Sequence, residues 1–232
     1  MTGSSPGARF ALAVSTVTLL FALLGAGLAW RVYDSERQHA IDETEQTANT
    51  AALNADRFLV DRLSVLTAVA AAPPIRANDI PGIVSFIQTI DPGSIGFGGG
   101  VGWVDSNGLL HAYTGVDPAL LPFDLSQGEH VQTVLQGQAP YVGEAFVDTQ
   151  TGLPVLPIAV PTFNAAGQFS GLVVGTNRLN LFESAARERR FGTDDLYIVD
   201  RGGNIVIGPD AVTALVNVEG HPLLTRAADG ST

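Results

Sequence analysis

The apolar positions of this chain follow three rhythms in turn, and each predicts a different element. From Phe10 to Trp30 runs a stretch of 21 residues without a charge, bracketed by Arg9 and Arg31. As a helix it rises roughly 31 Å, about the thickness of a bilayer's hydrocarbon core. The apolar region of a secretory signal is shorter, about 7–15 residues. The run is therefore read as a transmembrane anchor over residues 9–31, behind a cytoplasmic N-terminus of residues 1–8. A cleaved signal peptide is the competing reading, because Gly27-Leu28-Ala29 has the small-x-small form of a peptidase site. Either way the remainder is exported. Flanking charge sets orientation only weakly, with Arg9 before the run and Arg31 and Arg37 after it.

The second rhythm is helical. Residues 32–72 contain no Pro or Gly, and apolar residues recur at steps of three and four through Ile41, Ala48, Ala52, Ala55, Leu59 and Leu66. This predicts a long stalk helix ended by Pro73-Pro74. Its stripe serves either core packing or the seam of a homodimer. A shorter helix is expected from Ile80 to Ile90, stopped at Asp91-Pro92-Gly93.

The third rhythm alternates. Val101–Asp105 and Leu109–Tyr113 flank Ser106-Asn107-Gly108, and Asn-Gly between β-rich runs is a strong hairpin signal. A helix is expected from Gly128 to Gln136. Strands follow at Tyr141–Val147, Val155–Phe163 and Ser170–Thr176, joined by the turn-forming stretches Thr149–Gly152 and Asn164–Gly167. Connections this short make the sheet antiparallel. After an expected helix from Leu179 to Arg190, the hairpin recurs as Leu196–Asp200 and Asn204–Ile207. The motif Val-Asp-x-x-Gly stands at Val104–Gly108 and again at Val199–Gly203. Two such matches suggest tandem α+β units, spanning 73–190 and 191–232. The second holds only two predicted strands, too few to stabilise a sheet, and is read as incomplete.

Composition narrows the function. A formal net charge of −11, with twelve Arg and no Lys, argues against nucleic-acid binding. The absence of Cys removes disulfides, thiolate metal sites and a cysteine nucleophile. The four His show no metal-ligand spacing. No G-x-S-x-G elbow, P-loop or His-Glu-x-x-His helix is present. Gly98-Gly99-Gly100 precedes a strand instead of following one, so it reads as a flexible lead-in to the sheet and not as a dinucleotide loop. No catalytic residue, metal or cofactor is expected in these residues.

With these elements in place, the stretches GWVDSNGLLHAY, EAFVDTQTGLPVLPIAVPTFNAAGQFSGLVVGTNRLNLF and LYIVDRGGNIVI resemble the double Cache extracytoplasmic sensor domains of bacterial transmembrane receptors. The likeness covers about residues 8–232. It implies an α+β fold: an N-terminal transmembrane helix and long stalk helix, then tandem PAS-like antiparallel-sheet units, the second incomplete. It implies a small extracellular ligand, a position at the plasma (inner) membrane with the sensor outside, and a homodimer through the stalk. The output expected first is a histidine kinase of a two-component system. A diguanylate cyclase, a chemotaxis receptor and a membrane-anchored solute-binding protein are the alternatives, distinguished by the sequence beyond Thr232.

The resemblance also implies where a ligand sits. Amino-acid-binding members carry an Arg and two aromatics at the start of the helix after the first hairpin, a Tyr-x-Asp on the next strand, and an Asp on the last. An ungapped placement puts Gly128, His130 and Val131 at the first three positions, Phe146 and Asp148 at the pair and Thr176 at the last. Only Asp148 is retained, which makes an α-amino acid a poor fit. Trp103, Tyr113, His130, Phe146, Asp148 and Thr176 are the candidate ligand-binding residues, aromatic walls with a few polar groups. For Trp103 the alternative is a core position, for Asp148 a turn cap, and for Glu129-His130 a solvated surface. An exported hydrolase using Asp148 and His130 is the remaining enzymatic alternative.

Overall fold

The computed structural model describes residues 6–148, 151–179, 197–208 and 215–220, with the side chains of 6–29, 32, 40, 41 and 207 outside that description. The expected helix from Leu179 to Arg190 lies outside it beyond Leu179, as do residues 191–196 and 221–232. The chain divides into two units, Met1–Ala51 and Ala52–Thr232.

The first unit is helical from Pro6 onward, as the opening part of helix α1, Pro6–Ala70. Among the described residues no helix is long and apolar enough to cross a membrane. The side chains of Phe10–Ala29, which carry the expected anchor, and of Ile41 are outside the described residues.

The second unit is built on a seven-stranded antiparallel sheet. Its strands are β1 Gly100–Asp105, β2 Leu109–Tyr113, β3 Phe123–Asp124, β4 Tyr141–Val142, β5 Phe146–Val147, β6 Pro154–Phe163 and β7 Phe169–Arg178. The order is β3-β2-β1-β7-β6-β4, with β5 also pairing β6. Because successive side chains in a strand point to opposite faces, the sheet buries two separate clusters. On one face Val101, Trp103, Ala112, Ile158, Val160 and Val173 pack against helices. Those helices are the end of α1, with Leu66 and Ala70 buried, the short α2 Pro73–Arg76, and α3 Ile80–Thr89, with Ile83 and Ile87 buried one turn apart. On the other face Val104, Leu110, Ala159, Leu172 and Val174 pack against Val131 and Val134 of α4, Glu129–Gly137.

Three expectations are corrected in detail. The strand expected over Tyr141–Val147 is broken at Gly143–Ala145, where Gly143 N–H donates to the Pro157 carbonyl at 3.0 Å. Pro157 has no N–H to return on that edge, so the ladder cannot run through. The last strand runs to Arg178 and not to Thr176. Gly98–Gly100 is no loose lead-in: Gly99 N–H donates to the Thr176 carbonyl at 2.9 Å. A Cβ on Gly100, whose φ is +127°, would stand 2.5 Å from the Tyr113 ring. Glycine is there because the Tyr113 ring lies against the backbone.

From Ala55 onward the predicted stripe faces inward: Ala55 and Leu59 lie against one buried cluster and Leu66 within another. Ala52, Leu53 and Val60 are exposed. The second hairpin is present as β8 Ile198–Val199 and β9 Ile205–Ile207.

Candidate functional site

The two hairpin turns share one device. Asp105 Oδ1 accepts from the backbone N–H of Asn107 at 2.8 Å and Leu109 at 3.0 Å, and Gly108 takes the positive φ that closes the turn. Asp200 Oδ1 accepts from Asn204 N–H at 2.8 Å, and Gly203 has the positive φ. The second oxygens differ. That of Asp105 meets His111 Nε2 at 3.0 Å. That of Asp200 accepts from the backbone N–H of Ala145 at 2.7 Å, which ties the second hairpin to the break between β4 and β5. Burial pushes the Asp105 carboxyl up, but hydrogen bonds from Leu109, His111 and Asn107 outweigh it and hold the group below the usual carboxylate range.

Trp103 does not lie with the other candidates. It is 1% exposed on the helix-packed face, and its indole N–H reaches Thr162 Oγ1 only at 3.4 Å. A β-bulge between Trp103 and Val104 turns His111 onto the same face, 5.6 Å from the Trp103 ring. The bland alternative for Trp103, a core position, is what the packing displays.

On the opposite face the register gathers the other candidates. Thr176 is paired with Pro157 on one side and Gly100 on the other. Tyr113 reaches over Gly100: its hydroxyl donates to the Gly99 carbonyl at 3.0 Å, leaving it to accept from Thr176 Oγ1 at 2.8 Å. Burial pushes the Tyr113 hydroxyl up; the Thr176 bond opposes this, Asp148 adds to it and Arg178 opposes it. Two residues along β7, the next row runs Arg178–Val155–Phe146 across three strands.

His130 opens α4 and stacks on Phe146 with ring centroids 6.0 Å apart and planes 8° off parallel. It is half-buried and not solvated surface. Burial pushes its imidazole below the ordinary value, against a smaller upward pull from Glu129. Close approach of α4 depends on Gly143, where a Cβ would meet Pro157 at 2.9 Å and His130 at 3.1 Å. Beside it the Tyr141 hydroxyl donates to Glu129 Oε1. Asp148 holds its own turn, accepting from the Thr151 hydroxyl at 2.7 Å and, through its carbonyl, from Gly152 N–H at 2.7 Å.

Sequence reading missed Arg178. Its Nε is buried and has no hydrogen-bond partner among the described residues. The signal was alternation: with β7 extended by two residues, Thr176 and Arg178 fall on one face. Ending the strand at Thr176 hid it.

Neither a model of any known protein family nor the sequence of any curated protein matches the chain. Solved structures do match in fold. An extracellular ligand binding receptor from Desulfohalobium retbaense aligns with a TM-score of 0.61 at 17% identity, over 82% of this chain and 34% of that one. The ligand-binding domain of the Pseudomonas fluorescens chemoreceptor CtaA, in complex with L-serine, gives 0.60 at 19% identity, over 75% of this chain and 74% of that one. That of the Pseudomonas aeruginosa amino acid chemoreceptor PctB, in complex with L-Gln, gives 0.59 at 19% identity, over 74% and 70%. The chain thus spans about a third of the first and about seven tenths of the other two. It shares its fold, a long N-terminal helix and an antiparallel sheet, with those ligand-binding domains.

Proposed function

We propose that this chain is the extracytoplasmic, ligand-sensing input of a bacterial transmembrane receptor, with residues 9–31 as its anchor at the inner membrane. Residues 73–190 are the membrane-distal unit and 191–232 part of a membrane-proximal one. The observation that carries the reading is the α4-facing row of Tyr113, Thr176, Phe146, His130 and Arg178. There polar and aromatic side chains converge between sheet and helix, in a fold shared with ligand-binding domains of chemoreceptors. Small-ligand sites are built from such mixtures. A homodimer through the stalk completes the proposal; among the described stalk residues Tyr33, Leu53 and Val60 are exposed large apolar side chains, the last two seven residues apart.

The output proposed first is a histidine kinase. A chemotaxis output is the second reading, and the chemoreceptor identity of the matched structures favours it. The test of the sensor reading is thermal unfolding of the full chain in detergent micelles against a panel of small metabolites. A ligand that binds the folded state raises the midpoint in proportion to ln(1 + [L]/Kd). Protease added to intact spheroplasts should also cut the chain beyond residue 31. No shift with any metabolite, together with protection from external protease, sinks the reading.

A further inference from the structure

Arg178 holds a cationic group whose Nε is buried without an acceptor among the described residues. An inner N–H withdrawn from water without a partner is costly, and the half-buried side chain around it keeps a guanidinium fork suited to an anion. Three features place this one at the site and not merely in the core. The register puts Arg178 on the same face as Thr176, about 7 Å along the strand. Val155 beneath it is 1% exposed, and Phe146 continues the row to the ring of His130. Tyr113 and Thr176 present hydroxyls at the near end.

We infer that Arg178 is the anion anchor of this site, and that the ligand is a small organic monocarboxylate. Its carboxylate is held by the Arg178 fork, with a hydrogen bond from Thr176 once that hydroxyl turns away from Tyr113, and its body lies against the His130–Phe146 ring pair. The inference rests on the proposed sensor function. A guanidinium suits the planar, two-oxygen carboxylate because it offers parallel donors. One guanidinium calls for one negative charge, and the nearby carboxylate of Asp148 disfavours a dianion. Asp148 is also engaged in its own turn, and Thr176 carries no charge, so neither offers an ammonium group a ready partner beside Arg178.

The experiment is a calorimetric and thermal-shift screen of the full chain in micelles. The probes are acetate, propionate, butyrate, lactate, pyruvate and benzoate, their primary amides, succinate, L-serine and L-glutamine. At least one monocarboxylate should bind while its amide does not. Arg178→Gln should weaken that binding at least tenfold, Arg178→Lys should recover part of it, and Arg76→Gln, exposed on α2, should change nothing. If Arg178→Gln fails to fold, Thr176→Val carries the same test, with a smaller loss expected. Binding of an amide, succinate or an amino acid with no monocarboxylate bound overturns the inference and leaves the sensor reading intact. So does a bound monocarboxylate that is indifferent to Arg178. Silence from every probe overturns the inference, and the broader metabolite panel then decides the sensor reading separately.

Discussion

Replacing Trp103 with Ala separates a core tryptophan from a ligand-facing one. The side chain is 1% exposed and surrounded by Val101, Ala112, Val160 and Val173. A buried aromatic of this size removes about 150–250 Å² from water, worth about 4–6 kcal/mol at about 25 cal/mol per Å². Measured truncations of buried aromatics cost about 3–5 kcal/mol, cavity included. The two ranges meet near 4 kcal/mol. The indole N–H adds little, since its contact with Thr162 is 3.4 Å long. For a domain of this size about 2–4 °C of midpoint is lost per kcal/mol, so Trp103→Ala should melt roughly 8–16 °C below wild type. Thermal unfolding of the full chain followed by far-UV circular dichroism reads this directly. A shift under about 3 °C would mean the indole is not packed as described, and the two-faced account of the sheet would fail with it.

Four further outcomes follow from the same geometry. Gly171 has a φ of +147°, and a Cβ there would overlap the carbonyl oxygen of Val104. Gly171→Ala should therefore cost more than about 1 kcal/mol, and an unchanged unfolding midpoint would contradict the β1–β7 register. Because burial holds the His130 imidazole neutral, with Glu129 opposing, its folded pKa lies below the ordinary 6.5. The unfolded chain then binds the extra proton first, so this contribution is whole above about 6.5 and is lost as pH falls from there toward the folded value. His130→Gln should flatten that part of the stability curve, and equal slopes in both proteins would show that the ring is not buried. Asp105, held below 3.8, contributes stability that disappears only as pH falls through its lowered value. The two losses should thus appear as separate phases of an acid titration, and a single merged phase argues against the assignment. Asp200→Ala strands the N–H of buried Ala145, at about 1–3 kcal/mol. Amide hydrogen exchange at Ala145 should accelerate, and unaltered protection there would contradict the bond.

Much of the fold was legible because its periods are clean. The hairpin around Asn107-Gly108 and the long β6–β7 pair each carry alternation bounded by turn residues. The helix α3 repeats its buried Ile at i and i+4. What was not legible depends on partners distant in the chain. Within Tyr141–Val147 only Gly143 hints at the break, whose cause is Pro157 on the neighbouring strand. Trp103 and Tyr113 look equally suited to a pocket, and only the bulge and the helices on one side separate them. Arg178 stayed hidden for a boundary reason: Asn177-Arg178 reads as the way out of a strand, although Asn177 is itself buried within it.

The bond from Ala145 to Asp200 adds a directional link between the sheet edge and the second hairpin, beside the apolar packing of Val206 with Ala145 and Leu156. Ala145 sits one residue before Phe146, which stacks on His130, and two after Gly143, over which α4 closes. The edge of the sheet is discontinuous there, so it yields more readily than an unbroken ladder would. Any movement of the ring pair therefore strains the 2.7 Å Ala145–Asp200 bond together with that apolar packing. The Asp200 turn must either travel with it or let go.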